Sequence, residues 1–194
     1  METFTLFAEP WWVNILMIVP FLAYFSWRKD RLGITVGMLA FTGLFAVAFG
    51  FMEATLVVYL RAAVGLLPGY GGTLSEVATL SSSVYQQAVS LSELPKSLVT
   101  LEFYRESATI IMLLSIAAIA AKDIKERVAI FLWVFAIWDI FYYIGLWATV
   151  RWPSSFFTPD VLFLIPVPWF SQVWFPILIS ALTMTAVIIT KRNK

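Results

Sequence analysis

Long apolar runs alternate with short charged breaks along this chain, and the breaks mark where its elements should end. The first run, about Trp11 to Trp27, stops at Arg28-Lys29-Asp30-Arg31. It lies near the lower limit of about 17 residues for crossing hydrocarbon. A second run starts at Leu32 and stays compatible with helix to about Arg61, enough to cross with tilt or to project beyond a bilayer. The third covers about Phe103 to Ala121 and ends at Lys122-Asp123-Ile124-Lys125-Glu126-Arg127; the fourth covers Val128 to Val150 and ends at Arg151-Trp152-Pro153. The last apolar stretch, Phe156 to Thr190, is interrupted by Pro159, Pro166, Pro168 and Pro176. Residues 65–100 are polar and irregular, opening with the turn signal Pro68-Gly69-Tyr70-Gly71-Gly72. The pattern predicts an all-α integral membrane protein forming one domain over residues 1–194.

Lys and Arg placement sets the expected topology. Nine of the 13 fall in three clusters: Arg28, Lys29 and Arg31; Lys122, Lys125 and Arg127; Lys191, Arg192 and Lys194. Placing all three on the cytoplasmic face satisfies the positive-inside rule and requires an odd number of crossings. Five transmembrane helices fit, over about 11–27, 32–61, 103–121, 128–150 and 172–190, with the N-terminus outside and the C-terminus cytoplasmic. Residues 65–100 then form an external cap loop. Residues 156–170 become a re-entrant or interfacial Pro-rich segment on the outer face, where irregular backbone needs protein cover.

Composition narrows the chemistry. The chain is 61% hydrophobic and 13% charged, with 17 Phe and 9 Trp, and its mean hydropathy is +0.86. The pairs Trp169-Phe170 and Trp174-Phe175 read as an interfacial aromatic belt. A net charge of +1 without a basic surface gives no reason to expect nucleic acid. With no Cys and no His, thiolate and imidazole ligation and histidine acid–base chemistry are unavailable to this chain. Chemistry falls to carboxylates, Arg, Lys, Tyr and hydroxyls. No cofactor is expected. A hard cation held by Glu53, Glu102, Glu106 and Asp139 suits the ligand type but has no recognised ligand spacing behind it.

Two carboxylates inside the apolar runs are the sharpest signal: Glu53 and Asp139. A charge in hydrocarbon costs at least about 2.5–3.5 kcal/mol, so such residues face protein or a polar cavity. Glu53 adjoins a seam of small residues, Gly43, Ala46, Gly50 and Ala54, which lets a neighbouring helix approach closely. Glu102, Arg105 and Glu106 are spaced to share one helix face, so Arg105 can pair with either Glu or reach Glu53 or Asp139. Tyr142 and Tyr143 follow Asp139 at i+3 and i+4 and offer it a phenolic donor. Glu53, Arg105, Glu106 and Asp139 are therefore expected to form one polar cluster in the outer half of the bundle. Arg61, Glu102 and Arg151 read as interface residues that snorkel to headgroups. Asp160 reads as a helix cap. Against a functional cluster stands the plain alternative that buried ion pairs fix register and assembly.

Four stretches carry a resemblance: 51–61 (FMEATLVVYLR), 101–109 (LEFYRESAT), 138–143 (WDIFYY) and 160–169 (DVLFLIPVPW). Over roughly Phe51 to Ile179 the chain resembles a group of bacterial multi-pass membrane proteins with no assigned activity. The resemblance implies a bacterial inner membrane and a periplasmic outer face, and it supplies no catalytic residues. Two functions compete. One is an outward-facing polar site for a small polar molecule, lipid headgroup or ion. The other is a non-catalytic accessory subunit whose partners are further membrane-protein chains.

Overall fold

The computed structural model describes residues 7–63 and 96–192. Trp11–Ile18 winds as a 3-10 helix and runs into α1, Val19–Trp27. Pro20 falls in the first turn of α1, where its missing N–H leaves no bond unmade. Then follow α2, Val36–Ala63; α3, Lys96–Ala120; and α4, Ile124–Val150. Asp123 starts α4 by accepting the Lys125 amide at 2.8 Å. Arg151 ends it in the left-handed region at φ 57, and Pro153 bars any continuation. A β-hairpin separates α4 from the last helix: β1, Pro159–Phe163, pairs antiparallel with β2, Trp169–Gln172, and Asp160 lies opposite Ser171. The chain closes with α5, Trp174–Thr190.

Among the described residues, three helices are long and apolar enough to cross a membrane, over Val36–Tyr59, Val99–Ala120 and Ile124–Val150. Two shorter apolar helices, Trp11–Trp27 and Trp174–Thr190, flank them. The structure thus departs from the sequence reading at three places. The Pro-rich segment 156–170 is built around a β-hairpin, so the chain is not purely α. Pro159 opens a strand and Pro166 and Pro168 sit in the connection, positions where no ladder N–H is required. The third helix begins at Lys96, so residues 96–100 belong to a helix and not to a loop. Leu32 stands apart from α2 because its backbone groups are taken by the end of α5. Residues 65–95 of the expected cap lie outside the described residues.

Close approach of α2 and α4 forms the centre of the molecule. A Cβ on Gly50 would lie 2.6 Å from the Trp138 carbonyl oxygen, and one on Gly145 would lie 2.8 Å from the Ala54 Cβ. The seam read from the sequence therefore faces protein along Gly43, Ala46, Gly50 and Ala54. The Trp133 indole pins the same pair, donating to the Leu39 carbonyl at 3.0 Å. α5 packs on α1 and α4, and α3 lies against α4 and α2.

The two ends of the bundle differ. At one end the Leu32 amide donates to Thr190 O at 3.0 Å, the Arg192 amide donates to Leu32 O at 2.8 Å, and Lys125 pairs with Asp30 at 3.2 Å. These bonds gather the basic segments at Arg28–Arg31, Lys122–Arg127 and Lys191–Arg192 on one side. At the other end, Glu9 and Phe170 exchange backbone hydrogen bonds of 2.8 and 2.7 Å, tying the start of the chain to the hairpin.

Candidate functional site

Glu53, in the C-terminal half of α2, is 2% exposed and meets α3 across the helix interface. Arg105 on α3 forms an ion pair with Glu53 Oε2. The same guanidinium donates through Nε and Nη2 to Glu102 Oε2, at 3.0 and 2.8 Å. Thr109, one turn along α3, donates to Glu53 Oε1 at 2.7 Å. Both oxygens of this buried carboxylate are thus engaged, one by a cation and one by a hydroxyl. That is what a charge away from water requires.

Glu106 sits on the same helix but has different company. Its Oε2 accepts the backbone amide of Leu164 at 2.8 Å, in the turn of the hairpin. Asp139 lies deep in α4, and its Oδ2 accepts the Ser180 hydroxyl of α5 at 2.8 Å. One turn further, Tyr143 donates to Asp160 Oδ2 at 2.8 Å and so anchors β1 to α4. The hairpin is seated on the helices by two carboxylate contacts, Glu106 to its turn and Asp160 to Tyr143.

These side chains enclose a cavity of about 50 Å3. Glu53, Arg105, Glu106 and Asp139 all line it, with Trp138, Tyr142 and Tyr143 on the α4 side and Val161, Leu162 and Phe163 of β1 as the roof. Tyr142 stacks on Trp138, their rings 6.2 Å apart and 24° from parallel. A water needs roughly 10–15 Å3 of such volume, so the space admits a few waters or a single small ion.

The four residues expected to converge do so, but the pairings differ from expectation. Arg105 chooses Glu53 and Glu102, leaving Glu106 to a backbone amide. Glu102, half-buried, thus joins the Arg105 network at its edge. Tyr143 serves Asp160 and not Asp139, since the hairpin brings Asp160 within reach while Ser180 reaches Asp139 from α5. Asp160 is a buried strand residue, not a helix cap. Arg151 lies at the end of α4 with its guanidinium 4.5 Å from the Trp147 ring centre, outside the cavity lining. Arg61 belongs to α2, and its side chain lies outside the described residues. In the aromatic pairs, Phe175 is a core residue at 1% exposure, and Trp169 packs edge-on against Trp12 with ring centres 5.3 Å apart.

Residue type and spacing do not mark Thr109, Ser180, Trp138 or the β1 roof as site residues. Single hydroxyls are common in apolar helices and usually bond back to their own turn, as Thr42, Ser115 and Thr185 do here. Comparison with protein-family models, with curated proteins and with solved structures finds no match for this chain.

Proposed function

We propose that this chain is a five-span membrane protein whose cavity beneath the hairpin binds one small positive charge, a proton or a monovalent cation, from the outer side. The observation that carries the reading is the charge balance of the cavity wall, where three carboxylates face one guanidinium. Arg105 is already engaged by Glu53 and Glu102. Glu106 and Asp139 accept from a neutral amide and a neutral hydroxyl. Surplus carboxylates in a low-dielectric site favour a bound positive charge. A structural ion pair alone requires only Arg105 and one partner.

Size and donor arrangement narrow the ligand. With the hairpin seated, about 50 Å3 has no room for a lipid headgroup. Among the described residues no three His, Cys, Asp or Glu side chains gather closely enough to hold a metal ion. Divalent calcium takes six to eight oxygens, so the proposal is for a single charge and not for the hard-cation set Glu53, Glu102, Glu106 and Asp139.

The proposed membrane placement draws on the two ends of the bundle. The basic end is assigned to the cytoplasm and the hairpin end to the outside, with residues 65–95 outside as well. The 17-residue helices Trp11–Trp27 and Trp174–Thr190 complete five crossings at the short limit of about 17 residues. A bacterial inner membrane, with a periplasmic outer face, is the setting proposed.

Proton uptake after an acid pulse tests the reading, in purified protein in lipid nanodiscs with and without excess Na⁺. Wild type should take up more protons than a folded Glu106→Gln/Asp139→Asn double variant, or should lose uptake to Na⁺ where the double variant does not. Equal uptake by both folded proteins, with no effect of Na⁺, contradicts it.

A second reading, an accessory subunit, has one observation in its favour. The α3 span is 22% buried within the chain, against 50% for α2 and α4, and exposes Ile111, Leu114 and Ile119. A partner helix would cover that face. A monomer purified from native membranes without partners, and still binding its ligand, eliminates this alternative.

A further inference from the structure

Trp138 lines the cavity alongside the carboxylates and is 8% exposed. Its indole Nε1–H is buried without a hydrogen-bond acceptor among the described residues. The indole nitrogen only donates, whereas the carboxylates around the same space accept. An occupant that satisfies both sides must accept one hydrogen bond and donate others. A bare alkali cation cannot accept from the indole, an ammonium ion has no lone pair to offer it, and an anion would face the carboxylates. A hydroxylic molecule fits, and within about 50 Å3 that molecule is water.

We propose that the cavity holds a small water cluster that accepts from Trp138 and donates to Glu106 and Asp139, and that this water relays a proton between the two carboxyl groups. The inference rests on the charge-binding reading above and resolves it in favour of the proton. The relay balances without a co-reactant. As a proton leaves one carboxylic acid for a water oxygen, a proton of that water passes to the other carboxylate. One O–H bond breaks at the first carboxyl and one forms at the second, and the water and the net charge are restored. Glu106 contacts the hairpin turn and Asp139 lies deeper, between α4 and α5, so the relay runs from the roof toward the bundle centre.

Ultraviolet resonance Raman spectroscopy reads the hydrogen-bond state of an indole N–H directly. Spectra of nanodisc-embedded wild type minus Trp138→Phe, in H2O and D2O, isolate this residue from the other eight Trp. The inference requires a hydrogen-bonded Trp138 signal that shifts on transfer to D2O. A non-hydrogen-bonded, non-exchanging signal shows a dry cavity and overturns the water, whether or not Glu106 and Asp139 take up protons. A hydrogen-bonded Trp138 combined with Na⁺-displaceable charge binding overturns the relay while leaving the charge-binding reading intact. Should Trp138→Phe fail to fold, a crystal structure resolving ordered waters decides the same point. A water within hydrogen-bond distance of Trp138 Nε1 supports the inference, and a protein acceptor or apolar contact there refutes it.

Discussion

The same helices are held together in two different ways along their length. Toward the basic end, α2, α3 and α4 meet through apolar surface, with Ala46, Leu113, Ile130 and Val134 each fully buried. Toward the hairpin end the same helices meet through Glu53, Arg105, Thr109 and Asp139. Close packing already joins α2 to α4 at the level of the charges, since Gly50 and Gly145 let the two backbones approach beside Glu53 and Asp139. The charges above are therefore not needed merely to join α2 to α4. Their excess over Arg105, and the cavity they surround, set the hairpin half apart from the basic half.

That contrast is open to attack in order of expected effect. Arg105→Ala should be the most damaging change, about 3–5 kcal/mol, because it strands Glu53 without its cation. Chemical denaturation in detergent checks it, and a loss under about 1 kcal/mol would mean the pair is not buried as described. Gly50→Ala should cost about 1–3 kcal/mol, since the added methyl meets the Trp138 carbonyl, backbone that cannot swing aside. Gly33→Ala meets only the end of the flexible Glu126 side chain and should be close to neutral. The two glycines compared by thermal unfolding separate a packing seam from an ordinary small residue.

In the hairpin half, Glu106→Gln and Asp139→Asn should leave stability within about 1 kcal/mol of wild type, because the amide oxygen still accepts from Leu164 or Ser180. They should nevertheless abolish charge binding. Loss of stability at both sites, with charge binding retained, would make the hairpin half a structural network like any other. The smallest effect belongs to the exposed Lys125–Asp30 pair, where Asp30→Asn should change stability by about 0.5 kcal/mol or less. The placement of the two ends is checked separately. A cysteine at exposed Ser155 should label from outside with an impermeant reagent, and one at exposed Lys122 only after permeabilisation. Identical labelling at both positions breaks the five-span arrangement.

Much of this division was legible in the chain. Glu53 and Asp139 announce themselves because a carboxylate in an apolar run has so few tolerable environments. The small-residue spacing around Gly50 indicates the face of α2 that meets α4, and charged breaks mark where helices stop. The hairpin was not legible. A short apolar stretch such as Val161 to Ile165 reads alike as strand, buried helix or interfacial segment, and periodicity cannot separate them at that length. Its consequences were hidden with it, since only the hairpin brings Asp160 to Tyr143 and Leu164 to Glu106. The choice of Arg105 between Glu53, Glu102 and Glu106 depends on how α3 is rotated against α2, which spacing along one helix does not fix.

Infrared difference spectroscopy of the folded protein in nanodiscs, recorded on exchange between two buffers of different pH, tests the central claim most directly. The account predicts carboxylic C=O signals in wild type that are reduced by Glu106→Gln and by Asp139→Asn. Glu102→Gln should leave those signals in place, because Glu102 is held by Arg105. A wild-type difference spectrum without such signals, or one unchanged in both Glu106→Gln and Asp139→Asn, would contradict it.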